Sequence, residues 1–158
     1  MRSIKKLFGL FDKEELVSCM SFGKSRFNKN YEWELLRFSN KLNSQVVGGA
    51  SKLFKHFIKI YHPKSIVSYC DIRFSSLNPK DTVYPKLGFK YSHTSKPNYR
   101  YLDTKVNRLF SRIQFQKHKL QEKLPIFNPE LSETQNMINN GYIKVYDCGN
   151  FVFTWDSN

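Results

Sequence analysis

The sequence predicts a single domain of the α/β (α+β) class, with a mixed, mostly antiparallel sheet flanked by helices. Three observations point there. The length, 158 residues, is that of one domain. Between residues 31 and 71 the hydrophobic pattern runs strand, loop, helix, strand, which is a βαβ-like unit. On either side of that unit lie short extended segments separated by turn residues. Hydrophobic residues make up 40% of the chain and aromatic residues 16%, enough to bury a core, so disorder is excluded.

From the N-terminus, residues 6–22 carry two apolar runs around Asp12-Lys13-Glu14-Glu15 and read as a β-hairpin, with a helix over Lys13–Met20 as the competing reading. Residues 31–38 alternate as a strand, and residues 41–49 form a polar loop ending in two glycines. From Ala50, Leu53, Phe54, Phe57, Ile58 and Tyr61 recur at helical spacing with Lys52, Lys55 and Lys59 on the other side, which predicts an amphipathic helix stopped by Pro63. Ser65–Tyr69 is a short buried strand with Cys70 and Asp71 at its end.

Residues 72–82 read as an irregular loop, Val83–Leu87 as one helical turn closed by Gly88, and 89–92 and 99–103 as extended. The basic stretch 105–123 fits strand and helix patterns equally. After Pro125 and Pro129, Ser132 with Gln135 forms a capping box for a helix to Asn139. Gly141 then leads into a predicted hairpin, YIKVYD and FVFTW around a Cys-Gly-Asn turn. In this reading residues 1–124 are the core with its basic segment 105–123, and residues 125–158 complete the same domain.

Charge is the strongest compositional signal. Lys+Arg number 26 against 13 Asp+Glu, a net charge of +13. Residues 130–158 hold Glu130, Glu133, Asp147 and Asp156 against Lys144 alone, which is −3 and leaves +16 on residues 1–129. A localised anion-binding face for nucleic acid or a phosphorylated cofactor is expected, the alternative being a charge that serves solubility. Within 105–123, Lys105, Arg108, Arg112, Lys117, Lys119 and Lys123 alternate with Phe110, Phe115 and His118. These cations suit phosphates and exposed aromatics suit unpaired bases, whereas a solvated helix would turn the same aromatics inward.

Three cysteines without a C-x-x-C pair indicate neither a disulfide framework nor a zinc site, and four histidines lack metal-ligand spacing, so no metal is expected. A reducing cytoplasm fits that cysteine usage. The first residues hold an apolar run too soon interrupted by Asp12, Glu14 and Glu15 for a signal peptide, and no run is long enough to span a membrane.

Two features carry candidate chemistry. Gln45-Val46-Val47-Gly48-Gly49-Ala50-Ser51 lies between strand and helix, where glycines admit a ligand to the backbone and free N–H groups hold an anion; a plain turn explains it as well. The second is Ser65–Phe74 followed by Val83-Tyr84-Pro85-Lys86-Leu87-Gly88-Phe89. Asp71 at the strand end is a candidate to take or orient an amine proton, Tyr84 to supply one to a leaving group, and Arg37 to hold a phosphate or carbonyl oxygen. The bland readings are a turn cap for Asp71 and an ion pair of Arg37 with Asp71.

The order Q-x-x-G-x-A, helix, strand, Y-x-x-x-G-F resembles the GNAT acyltransferase fold. That resemblance implies acetyl-CoA or another acyl-CoA donor whose pyrophosphate meets Gln45, Val47, Gly48, Gly49, Ala50 and Ser51, with Tyr84 protonating the leaving thiolate. Glu34-Leu35-Leu36-Arg37-Phe38, Asn43, Ser51, Ser68-Tyr69-Cys70-Asp71 and Tyr84, over residues 30–103, are similar to the Mom-like phage DNA-modification branch. Cys70 departs from it, since a small residue is usual there, and the 76–82 loop is longer. The implied function is a phage-type transferase acting on an exocyclic amine of a DNA base in the host cytoplasm. The C-terminal part resembles modules found with phage homing endonucleases, without a nuclease motif. The alternatives are a catalytically silent nucleic-acid-binding module, and a protein acetyltransferase or inhibitor of a host defence complex.

Overall fold

The computed structural model describes residues 5–157; residues 1–4, part of the segment weighed above as a signal peptide, and Asn158 lie outside the described residues. The fold is a mixed α+β arrangement with mostly antiparallel strands. The chain groups into two compact units, Met1–Ser95 with Asn150–Asn158, and Lys96–Gly149, a grouping that runs across the 124/125 boundary drawn from the sequence.

The first unit is a six-stranded sheet. Its strands are β1 (Lys6–Asp12), β2 (Glu15–Lys24), β3 (Trp33–Asn40), β4 (Ser65–Asp71), β5 (Lys90–Thr94) and the last strand of the chain, β9 (Asn150–Asp156), in the order β1-β2-β3-β4-β9-β5. The hairpin expected at residues 6–22 is β1–β2, with Lys13 turning the chain at φ 54. All pairings are antiparallel except β3 with β4, which are parallel because helix α1 (Gly49–Tyr61) carries the chain back between them.

Leu53, Phe54 and Phe57 form the buried stripe of α1 and its lysines stay exposed, as the periodicity requires. The helix ends at His62, left-handed at φ 44, whose N–H donates to the Ile58 carbonyl; Pro63 then forbids another turn. The Phe57 ring stacks on Phe22 of β2 with centroids 3.6 Å apart, and Phe8, Trp33 and Tyr61 close around it. Met20, Leu35, Ile66 and Phe153 are buried in the same core, with Phe8, Trp33 and Tyr61 half-buried at its margin. A four-residue helix, α2 (Val83–Lys86), follows two 3-10 turns and sets Tyr84 against it, Gly88 closing the turn at φ 87 as its left-handed conformation demands.

The second unit is a three-stranded sheet, order β7-β6-β8, from β6 (Tyr99–Asp103), β7 (Arg108–Ser111) and β8 (Tyr142–Tyr146), with helix α3 (Glu133–Asn139). Its core is Tyr101, Phe115, Leu120, Leu124 and Met137. The capping box is present: the Gln135 N–H donates to Ser132 Oγ at 3.3 Å and the Ser132 N–H to Gln135 Oε1 at 3.0 Å. Buried Asn136 ties the preceding loop to α3, accepting from the Asn128 N–H at 2.8 Å and donating to the carbonyls of Asn128, Leu131 and Ser132.

Two sequence expectations need correction. The basic stretch is neither one helix nor one strand: β7 passes into 3-10 turns at Arg112–Phe115 and Lys117–Lys119. The C-terminal hairpin does not form, because β8 pairs with β6 in one sheet and β9 with β4 and β5 in the other. Phe151, Val152 and Phe153 are buried in succession, which suits a strand covered on both faces; β8 buries no residue fully and suits an edge. The crossings are fixed within each unit: Asp147 accepts from the Asn98 N–H at 2.8 Å, and the Ser95 N–H donates to the Asn150 carbonyl at 2.8 Å.

Truncation of the stacked ring, Phe57→Ala, is expected to destabilise the first unit by about 3–5 kcal/mol. Urea denaturation followed by Trp33 and Trp155 fluorescence reads this, and a loss below about 1 kcal/mol would mean the stack does not hold α1 to the sheet.

Candidate functional site

The parallel ladder between β3 and β4 covers only Trp33↔Ile66, Glu34↔Val67 and Leu35↔Ser68, although β3 runs on to Asn40 and β4 to Asp71. Beyond Leu35 and Ser68 the facing edges no longer bond to each other, so backbone donors and acceptors remain available to a ligand. The strands have no need to meet again, since β3 continues on β2 and β4 continues on β9.

On the α1 side of this parting point stands buried Ser68, whose Oγ donates to the Leu35 carbonyl at 2.9 Å. The Tyr84 hydroxyl meets Ser68, and its ring stacks on Phe153 with centroids 4.6 Å apart. Burial pushes the Tyr84 phenol above its ordinary value, the Ser68 hydrogen bond opposing and nearby Cys70 adding to the rise. Burial likewise raises the Cys70 thiol, with Ser75 opposing and Asp71 adding to it. This thiol is a neutral neighbour and no activated nucleophile.

On the other side Glu34 is buried at the start of β3. Its carboxylate accepts from Arg26 Nη2 at 2.6 Å and from the Arg26 backbone N–H at 3.1 Å. Tyr69 lies beside this pair, edge-on to Phe27, and burial followed by the charge of Glu34 raises its phenol. Sequence reasoning singled out neither the pairing of Arg26 with Glu34 nor the part of Ser68. The only local trace is Ser68 itself, a hydroxyl on the face that Ile66 and Cys70 share.

Asp71 is a turn cap. It accepts from the Arg73 N–H at 3.0 Å and from Arg73 Nη2 at 2.6 Å, and these bonds hold its carboxyl below the ordinary value. A carboxylate made less basic and already bonded on both oxygens is a poor proton acceptor. The alternative reading, a pairing of Arg37 with Asp71, does not occur among the described residues. Arg37 is exposed on β3, opposite Ser21 and beyond the last parallel pair, with no ion pair among the described residues.

At the head of α1, Gly48 is the N-cap at φ 71, and a side chain there would meet nothing within 4 Å. Gly49 is packed differently, since a Cβ would lie 2.9 Å from Val46 Cγ1. The Gly49 N–H donates to the Val46 carbonyl and the Lys52 N–H to Gly48, whereas the N–H groups of Ala50 and Ser51 find no backbone acceptor among the described residues. No acidic residue occupies the first turn. Gln45 and Val47 are exposed along a cavity of about 480 Å³ that also takes in Asp12 and Lys52. Ser51 opens instead into a cleft of about 450 Å³, lined along α1 by Phe54, Lys55, Ile58 and Lys59, and closed by Lys86 and Trp155. Three lysines without a carboxylate on an apolar floor suit a ligand with anionic groups and an apolar body.

The basic run belongs to the second unit. Arg108 lies over Phe110 at 5.3 Å, Arg112 over Tyr99 at 5.3 Å and Lys123 over Phe115 at 5.7 Å. Lys119 Nζ donates to the Ile113 carbonyl and to Gln116, while Lys105 and Lys117 are exposed. The interleaved aromatics turn inward: Phe115 is 6% exposed and Phe110 packs on the same core. The cations therefore remain available to phosphates, and these two rings do not serve as stacking platforms. Among the described residues no helix is long and apolar enough to cross a membrane, and no cluster of His, Cys, Asp and Glu is arranged to hold a metal.

No protein-family model matches the chain, and no curated protein matches its sequence.

The burial of Tyr84 makes stability depend on alkaline pH. Its folded pKa stands above the ordinary 10.0, so its contribution is complete below pH 10.0 and lost as pH rises through the folded value. Denaturation measured across the alkaline range should show Tyr84→Phe losing stability less steeply than the wild type; identical slopes would mean that the phenol is not buried.

Proposed function

We propose that the chain is a GNAT-like transferase that passes an acyl group from a coenzyme-A thioester to the exocyclic amine of a DNA base. The observation that carries this reading is the parting of β3 from β4 directly beside buried Ser68 and the half-buried Tyr84. The strand order supports it as well: one parallel pair joined through a glycine-led helix, with the final strand inserted between β4 and β5.

The residues present fit such a donor. The Ala50 and Ser51 N–H groups would hold its pyrophosphate, the open backbone at Gly48 would let it approach, and Lys55, Lys59 and Lys86 would meet its remaining phosphate. The unpaired edges beyond Leu35 and Ser68 would take the amide-bearing arm. When bound, the thioester supplies an activated carbonyl. Tyr84, neutral at physiological pH, is positioned to give a proton to the departing sulfur, with Ser68 holding its hydroxyl in place. Arg37, exposed on β3 past the parting point, suits a phosphate of the acceptor, and Lys105, Arg108, Arg112, Lys117, Lys119 and Lys123 suit the DNA backbone. A second reading, a GNAT-like module that binds nucleic acid without turnover, is favoured by Asp71, whose engagement with Arg73 leaves no ready base at the end of β4.

Two measurements test the transferase. Gly48→Asp puts a carboxylate at an N-cap with open space around it but a left-handed φ of 71, which strains any side chain; Gly48→Asn carries a similar strain without the charge and is its control. Isothermal calorimetry with acetyl-CoA should lose its signal in Gly48→Asp and keep it in Gly48→Asn; a signal unchanged by the carboxylate moves the donor elsewhere.

Nucleoside mass spectrometry of DNA from expressing cells should reveal a new adduct on an amine-bearing base, reduced on the order of 100-fold by Tyr84→Phe. Donor binding without any adduct selects the silent module, and full activity in Tyr84→Phe removes that residue from the chemistry.

A further inference from the structure

The second unit contains a polar pocket of about 150 Å³ lined by Tyr99, Arg112, Ile113, Gln116 and Glu133. Glu133 Oε1 accepts from the Tyr101 hydroxyl at 2.8 Å and the Tyr99 hydroxyl at 3.2 Å, and no protein donor reaches Oε2 among the described residues. Opposite it, Arg112 rests on the Tyr99 ring, which Lys144 Nζ also meets at 4.3 Å. The described ion pairs are Arg26–Glu34, Lys41–Glu15 and Arg73–Asp71, so Arg112 and Glu133 face one pocket beyond ion-pair distance of each other. Gln116 uses its Oε1 on Lys119 Nζ at 3.1 Å, which leaves its amide N–H groups for the pocket.

An acceptor and donors of opposite charge, side by side and unbonded to each other, match a ligand edge that sets a donor beside an acceptor. Adenine and cytosine have that edge, an exocyclic amine next to a ring nitrogen. Thymine presents one N–H between two carbonyl oxygens, and one of these would face the carboxylate. The surroundings are cationic: residues 96–149 hold nine Lys and Arg against five Asp and Glu. We propose that this pocket reads one unstacked adenine or cytosine of a single strand, whose flanking phosphates lie on Arg108, Lys117 and Lys123. The proposal rests on the nucleic-acid reading given above and names the kind of base that the second unit selects. The amine would donate to Glu133 Oε2, and the ring nitrogen would accept from Arg112 or Gln116.

Fluorescence anisotropy of the full chain with labelled oligonucleotides tests this, comparing an all-thymidine strand with the same strand carrying one central dA or dC. The wild type should bind the dA and dC strands about tenfold more tightly. Glu133→Gln, which can still bond the two tyrosines, and Gln116→Ala, at an exposed position, should both lose that preference while binding the all-thymidine strand as before. Gln116→Ala keeps the test decisive if Glu133→Gln weakens α3, and a thermal melt identifies that case. Tight binding without base preference, or a preference that survives in both variants, overturns the pocket and leaves the nucleic-acid reading standing. Absence of binding to every strand at low salt overturns both.

Discussion

The insertion of β9 between β4 and β5 is the constraint on which the first unit depends. β9 pairs with β4 along the whole length from Ser65↔Asp156 to Asp71↔Asn150, and this satisfies one edge of β4 throughout. Only because that edge is held can β4 leave β3 after three paired residues without fraying from the sheet. The same strand brings Phe153 beneath the Tyr84 ring and Trp155 to the floor of the lysine-lined cleft. A strand from the end of the chain thus assembles a candidate site whose other residues all precede β5.

The disposition of carboxylates explains where the positive charge remains uncompensated. Glu34 is consumed by Arg26, Asp71 by Arg73 and Glu15 by Lys41, all within the first unit. The cleft beside α1 therefore keeps Lys55, Lys59 and Lys86 without a carboxylate among its lining residues. Glu34 differs from the others in being buried, and a buried charge persists only when bonded, which Arg26 does through both its backbone and its guanidinium. In the second unit Glu133 is steadied by tyrosine hydroxyls instead of a cation, so part of its accepting capacity stays open.

Local elements were legible where short-range chemistry decides them. The stripe Leu53, Phe54 and Phe57, the stop at Pro63, the glycine turn after α2 and the Ser132–Gln135 capping box stand where residue type and spacing put them. The parallel β3–α1–β4 unit follows from the same logic, since a helix between two strands returns the chain in the same direction. The roles of Asp71 and of the C-terminal strands were not legible in this way. Arg73 is two residues from Asp71, and nothing in that spacing tells an ion pair in a tight turn from a free strand-end carboxylate.

What the sequence determined by itself is the class of the fold, most of its elements and the excess of positive charge, because each arises from contacts within a few residues or from composition. Tertiary structure decided the rest. The segments YIKVY and FVFTW satisfy every local rule for a hairpin, and only the competition for a central place in the larger sheet separates them into β8 and β9. Likewise Arg26 with Glu34, Ser68 with Tyr84, and Lys86 with the lysines of α1 are brought together by strand order and helix docking. Burial and long-range pairing, which no short window of sequence encodes, select those partners.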